Sequence, residues 1–125
     1  MTAKNQTSMK LKDVSVVIGF RDWGLQRIRL AVDSIQRSFG RFNGEVIISD
    51  YGSIDPKANE SLAKELGCKY VYTAGAEMWS RSRALNAGFA ISDGKLLVST
   101  DADMVFTPKA FEKIVETAIC LLYTS

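Results

Sequence analysis

Apolar residues follow two alternating patterns along the chain. Short, nearly continuous apolar runs, rich in valine and isoleucine, predict buried β-strands over residues 14–20 and 45–50. Two further strands are predicted over residues 68–73, where the pattern alternates, and over residues 95–100. Apolar residues at every third or fourth position predict helices over residues 25–39, 56–66, 80–91 and 108–118. Glycine, proline and aspartate lie at the boundaries, where turns and helix caps favour them. The pattern therefore predicts strands and helices in strict alternation.

This alternation is typical of an α/β fold. Strands joined by right-handed helical crossovers predict a doubly wound, mostly parallel sheet with helices on both faces. The first and last helices are expected to bury one apolar face, formed by Leu25, Ile28, Val32, Ile35, Phe39, Phe111, Ile114, Val115 and Ala118. In such sheets, ligands bind beyond the carboxyl ends of the strands. Polar residues follow three of these ends, within residues 20–22, at Asp50 and within residues 101–103.

The composition fits one globular domain and excludes several catalytic classes. The 125 residues are 46% hydrophobic and 24% charged, and their net charge of +2 gives no strong field to attract nucleic acid. The chain has no histidine, which excludes Ser-His-Asp and Cys-His nucleophiles and HExxH zinc sites. Cys68 and Cys120 form no CxxC pair, so we expect two small buried hydrophobic residues in a reducing compartment.

The two ends of the chain differ from its centre. Residues 1–12 are polar and lack the apolar segment of a secretory signal, which predicts a flexible lead. The longest apolar run, residues 118–123, is far shorter than the ~20 residues of a membrane-spanning helix, and a cytoplasmic domain is expected. Residues 119–125 abandon the amphipathic pattern before them, which predicts a truncation or a foreign tail.

The strand-end residues suit a metal-bridged nucleoside diphosphate. Neither the dinucleotide motif GxGxxG nor the P-loop motif GxxxxGK[ST] occurs in the chain. Asp101 and Asp103 directly follow a predicted strand, and paired carboxylates are ligands that Mg²⁺ and Mn²⁺ prefer. Arg21, Arg81 and Arg83 are available for phosphate oxygens.

Four segments together resemble a known family. Residues 16–22, 45–53, 79–89 and 100–104 are similar, in order, to a first-strand motif, a VDDGS motif, an aromatic-arginine-LNxGF motif and an Asp-x-Asp metal motif. The sequence thus resembles the nucleotide-sugar-binding half of GT-A glycosyltransferases of family 2, with motif likeness to the β-1,4-galactosyltransferases. Two positions depart from the pattern, since Tyr51 replaces the second acid of VDDGS and Gly19 replaces a common proline.

The resemblance implies a function and a set of site residues. It implies a GT-A, Rossmann-like but incomplete domain over residues 13–118, which binds a nucleotide-sugar, a UDP-sugar above all, with Mn²⁺ or Mg²⁺. The acceptor would be a hydroxyl on a glycan or a lipid-linked acceptor, with inversion at the anomeric carbon, and the parent protein could associate with a membrane. The catalytic base is expected in a missing C-terminal half. The implied donor-binding residues are Phe20, Arg21, Asp50, Trp79, Arg81, Arg83 and Asp101, and the implied metal ligands are Asp103 and Asp101.

The residues leave several alternatives open. Asp50 is either a base contact or an Asx-turn residue, and Trp79 either stacks on a base or packs against the protein. Spacing alone does not separate Arg81 from Arg83. A non-catalytic nucleotide-binding or interaction module is the main functional alternative. A sugar-phosphate nucleotidyltransferase is another, although the GxGxR loop of those enzymes is absent after the first strand.

Overall fold

The computed structural model describes residues 12–74, 78–100 and 108–124, the last six of these by backbone alone. Strands and helices alternate as expected. The strands are β1 (Lys12–Phe20), β2 (Gly44–Tyr51), β3 (Lys69–Thr73) and β4 (Gly94–Thr100), and the helices are α1 (Leu25–Ser38), α2 (Pro56–Glu65), α3 (Arg81–Ala90) and α4 (Pro108–Thr124). The last helix therefore continues beyond residue 118, where the apolar pattern predicts its end.

The four strands form one parallel sheet in the order β3-β2-β1-β4. Val16 in β1 stands opposite Val46 in β2 on one side and Val98 in β4 on the other. The predicted α/β class with a parallel, Rossmann-like sheet is confirmed. The continuous apolar composition of β1 and β2 follows from their central positions, since both faces of these strands are covered.

Helices cover both faces of the sheet, but unequally. Alternate residues of β1, from Val14 to Phe20, join the larger core, which α1, α2 and α4 cover. The intervening positions face α3, where Val17 and Ile47 pack against Leu85 and Phe89. Consecutive residues of a central strand therefore face different helices on opposite sides of the sheet.

Helix α3 packs very close to the sheet. A Cβ atom built on Gly88 would stand 2.4 Å from Cγ1 of Val17, and one built on Gly19 would stand 3.1 Å from Cβ of Ala84. A side chain at Gly88 would push the helix outward, whereas one at Gly19 would require a small shift of Ala84. The close packing fixes the start of α3 relative to the end of β1.

Two expected core positions are wrong. Leu25 and Ile114 are each 45% exposed, whereas Phe111 and Val115 are fully buried. Leu25 is the first residue of α1, and the buried residues of this helix begin at Ile28, one turn later. Helix α4 packs mainly on α1 and β4, and it buries Phe111 and Val115 while Ile114 stays on its exposed side.

Cys68 is half-buried beside the larger core and forms no disulfide among the described residues. Burial raises the pKa of its thiol to about 12. The side chain therefore stays neutral at physiological pH and behaves as the expected small hydrophobic residue. The side chain of Cys120 lies outside the described part of the chain.

A polar network, here the amino-edge network, joins all four strands at the edge opposite their carboxyl ends. Ser15 Oγ donates to Glu45 across 2.6 Å and accepts from the Gly94 backbone N–H across 2.7 Å. Lys69 Nζ lies 3.0 Å from Glu45 and 2.8 Å from Asp93. Burial of Glu45 acts to raise its pKa, but hydrogen bonds from Ser15, Asp93 and Lys69 outweigh this, and the pKa is lower than usual.

Candidate functional site

The strand order predicts a ligand-binding crevice at the carboxyl ends of β1 and β4. Strand β2 lies on one side of β1 and β4 on the other, so the order of strands reverses between β1 and β4. Open parallel sheets bind ligands at this reversal point. Arg21 directly follows β1, and Asp101 directly follows β4.

Arg21, Tyr51 and Trp79 form a cluster at this edge, here the strand-end cluster. The guanidinium carbon of Arg21 lies 5.6 Å from the centre of the Tyr51 ring, and Arg21 Nε donates to the Tyr51 backbone oxygen across 2.9 Å. The Trp79 ring meets the Tyr51 ring edge to face, with centroids 5.7 Å apart and an interplanar angle of 78°. Tyr51 is buried, whereas Trp79 keeps 42% of its surface exposed. Two of the predicted site residues, Arg21 and Trp79, are thus brought together by their shared contact with Tyr51.

The turns after β1 and β2 are tied together by a reciprocal pair of hydrogen bonds. The backbone N–H of Asp22 donates to Ser53 Oγ across 2.8 Å, and Ile54 N–H donates to Asp22 Oδ1 across 2.8 Å. Asp22 adopts a left-handed backbone conformation with φ of 52°, which is uncommon outside glycine. The two bonds hold this conformation, and they fix the backbone that follows Arg21.

Asp50 lies on the other face of the sheet from the strand-end cluster. Its carboxylate is fully buried and accepts hydrogen bonds from Ser53 N–H at 3.0 Å, Asn59 Nδ2 at 2.8 Å and the Tyr70 hydroxyl at 2.8 Å. Burial, and then the hydrogen bond to Asp50, raise the pKa of Tyr70 well above its usual value. Phe20 is buried in the larger core on the same face. Nucleotide contact by Phe20 or Asp50 stays a prediction.

Arg81 and Arg83 lie in the first turn of α3. Ser80 caps this helix, since its side chain accepts from the backbone N–H of Arg83 across 3.3 Å. The first turn, which lies wholly within the described residues, holds no acidic side chain. Both arginines are exposed, so they add positive charge to the positive end of the helix dipole.

A separate open pocket of about 290 Å³ lies on the α2 side of the tied turns. Its lining includes the apolar residues Trp23 and Ile54 and the acidic residues Asp22 and Asp55, whose carboxylates accept from backbone N–H groups. These carboxylates would repel a diphosphate. The exposed arginines and the indole lie on the α3 side, which therefore suits a nucleotide better.

Asp101 and Asp103, the predicted metal ligands, lie outside the described residues. Within residues 12–74, 78–100 and 108–118, no three metal-ligating side chains come together. The carboxylates of Asp101 and Asp103 are oxygen donors of the kind that Mg²⁺ and Mn²⁺ take. The metal site stays a prediction that rests on these two residues.

The sequence did not predict that Tyr51 contacts Arg21 and Trp79, or that Asp22 ties the turns after β1 and β2 together. The residues on the α3 face of β2 are Ile47, Ser49 and Tyr51, every second position of the strand, and Ser49 Oγ donates to the Ala84 backbone oxygen across 2.6 Å. The period of two along a strand would have separated Tyr51 from Asp50. The left-handed conformation of Asp22 carries no comparable sequence signal.

Comparison with known proteins identifies the class of protein to which this fold and strand-end arrangement belong. The family described as "Glycosyl transferase family 2" matches residues 15–119, so the chain belongs to this family of transferase enzymes. Undecaprenyl-phosphate 4-deoxy-4-formamido-L-arabinose transferase from Pseudomonas paraeruginosa (strain DSM 24068 / PA7) is 31% identical over 96 residues. The match covers 75% of this chain and 27% of that protein, so the chain spans about a quarter of its relative's length. The predicted family is confirmed, whereas the likeness to β-1,4-galactosyltransferases stays a prediction.

No helix in the described part of the chain combines the length and apolarity needed to cross a membrane.

Proposed function

We propose that this chain is the donor-binding part of a glycosyltransferase and that it binds the nucleotide of a UDP-sugar beyond the carboxyl ends of β1 and β4. The observation that carries the proposal is the strand-end cluster, in which a guanidinium and a half-exposed indole from separate elements pack on Tyr51. An indole face can stack on a nucleobase, and a guanidinium can pair with phosphate oxygens. Both groups lie at the edge where parallel sheets bind ligands.

Each site residue has a distinct part in this proposal. Trp79 stacks on the base, and Arg21, Arg81 and Arg83 bind the diphosphate. Phe20 and Asp50 have buried side chains, which hold the ends of β1 and β2 in place. Their part in the site is to position the backbone at these two strand ends. Asp101 contacts the ribose or the metal ion, and Asp103 is the main metal ligand.

Mn²⁺ or Mg²⁺, when bound by Asp103 and Asp101, supplies positive charge that neutralises the diphosphate of the leaving UDP. The acceptor hydroxyl attacks the anomeric carbon, its oxygen forms the new glycosidic bond, and the bond to UDP breaks with inversion. The hydroxyl proton passes to a carboxylate base in a part of the parent protein outside this chain. The acceptor is a glycan or a lipid-linked group, and the name of the Pseudomonas relative, which includes a polyprenyl phosphate, supports a lipid-linked acceptor and a parent enzyme that works at a membrane.

Calorimetric titration of UDP into the purified chain, with and without MnCl₂, tests donor binding. We expect saturable binding that requires Mn²⁺ and is lost in Asp103→Asn. Asp33→Asn is the matched control, since Asp33 lies in α1 and pairs with Arg37 on the exposed surface. Equal binding by Asp103→Asn and the wild type would refute the metal assignment, and no binding by the folded wild type would refute the donor site.

A further inference from the structure

Tyr51 is the shared contact of two donor-site residues that come from different parts of the chain. Arg21 follows β1, Trp79 precedes α3, and Tyr51 ends β2 between them. The Tyr51 ring is only 1% exposed, so a ligand in the crevice reaches Arg21 and Trp79 before it reaches Tyr51. The side chain is therefore placed to act through its neighbours.

Two kinds of contact hold the neighbours to this ring. The guanidinium of Arg21 lies over the ring face, and the indole of Trp79 meets the ring edge to face. Aromatic pairs and cation–π contacts of this kind stabilise the arrangement in which they form. An aliphatic side chain at position 51 would fill part of the space but would lose both directional contacts. The backbone bond from Arg21 Nε to the Tyr51 oxygen would remain.

We propose that Tyr51 is a positioning residue of the donor site, whose ring holds the Arg21 guanidinium and the Trp79 indole in place for a nucleoside diphosphate. The inference rests on the proposed function, since it assigns Tyr51 a part in the same site. It predicts that the ring matters for binding and that the phenolic hydroxyl does not.

The test compares Tyr51→Phe and Tyr51→Leu in the full 125-residue chain, with UDP and MnCl₂ as the probe in calorimetry. Tyr72→Leu is the matched control, because Tyr72 is a half-exposed tyrosine on β3 outside the cluster. Circular dichroism and urea unfolding report whether each variant folds. Acrylamide quenching in a Trp23→Phe background, where Trp79 is the only tryptophan, reports the environment of the indole directly.

We expect Tyr51→Leu to raise the Kd for UDP about tenfold and to increase quenching of Trp79, while Tyr51→Phe and Tyr72→Leu match the wild type. A folded Tyr51→Leu variant that binds UDP as tightly as the wild type would overturn the inference and leave the proposed function standing. A folded wild type that binds no UDP would overturn the proposed function and the inference with it.

A double-mutant cycle replaces the leucine variant if that variant does not fold. Arg21→Gln and Trp79→Leu are measured singly and together for UDP affinity. Non-additive losses support a shared positioning contact, and additive losses contradict it.

Discussion

Asn59 in α2 donates a hydrogen bond of 2.8 Å to the carboxylate of Asp50 at the end of β2, and both side chains are buried. Together with Tyr70 and the Ser53 backbone, Asn59 surrounds this charge with donors. Asp50→Ala would leave the donors without an acceptor in the protein interior. We expect the free energy of unfolding to fall by about 3 kcal/mol, measured by urea denaturation.

Tyr70→Phe is the graded control for this network. It removes one hydroxyl donor and leaves the other two, so we expect a loss of about 1 kcal/mol. If Asp50→Ala were no more destabilising than Tyr70→Phe, the network would not be the main contribution of Asp50.

Gly88→Ala tests the close packing of α3 on β1. The added methyl carbon would stand 2.4 Å from Cγ1 of Val17 and would push the helix from the sheet. We expect a loss of about 2 kcal/mol in urea unfolding, although alanine favours helices over glycine. Ser82→Ala, at an exposed position in the same helix, serves as the control and should change stability little. A Gly88→Ala variant as stable as the wild type would contradict this packing.

The amino-edge network predicts a pH dependence of stability. The pKa of Glu45 is lower in the folded chain than in the unfolded chain, so its stabilising contribution is present at pH above the unfolded value and is lost as pH falls through the folded value. We therefore expect the stability difference between the wild type and Glu45→Gln to shrink below about pH 4.3, the ordinary glutamate pKa. Urea unfolding from about pH 7 to about pH 3 measures this difference. A difference that stays constant over this range would refute an ionised, hydrogen-bonded Glu45.

We expect Asp22 to stabilise the tied turns in two ways. Its Oδ1 accepts a hydrogen bond from the Ile54 N–H, and its backbone adopts the left-handed conformation. Asn tolerates the left-handed region and can accept the hydrogen bond from Ile54, so Asp22→Asn should preserve the turn. Asp22→Ala loses the acceptor and keeps the strained φ of 52°, and we expect a loss of about 2 kcal/mol. Thermal unfolding and UDP titration of both variants provide the measurement. Equal behaviour of the two variants would show that the tie between the turns does not depend on this side chain.

The element order and the parallel sheet were predictable because apolar periodicity reflects burial directly. Asp55 and Pro56 mark the start of α2, and the Asp55 side chain does accept from Ala58 N–H. The left-handed glycines Gly40 and Gly67 likewise follow α1 and α2, with φ of 53° and 72°. These signals depend on residues that are close together along the chain, so a single sequence is enough to predict them.

The arrangement of the site was less predictable because it depends on contacts between distant segments. The distribution of charges along the chain does not show that Asp50 turns toward Asn59 while Tyr51 turns toward Arg21. That difference follows from the alternation of side chains in β2 and from which helix covers each face. Trp79 was predicted from its motif, but the sequence did not show that it packs on Tyr51 in β2.

The amino-edge network has a consequence for how this domain can change during evolution. Ser15, Glu45, Lys69 and Asp93 fix strand alignment at the edge remote from the crevice. Loops at the carboxyl edge can then vary in length and chemistry without loss of that alignment. A scaffold anchored at one end in this way can exchange residues at its other end while its architecture is inherited unchanged.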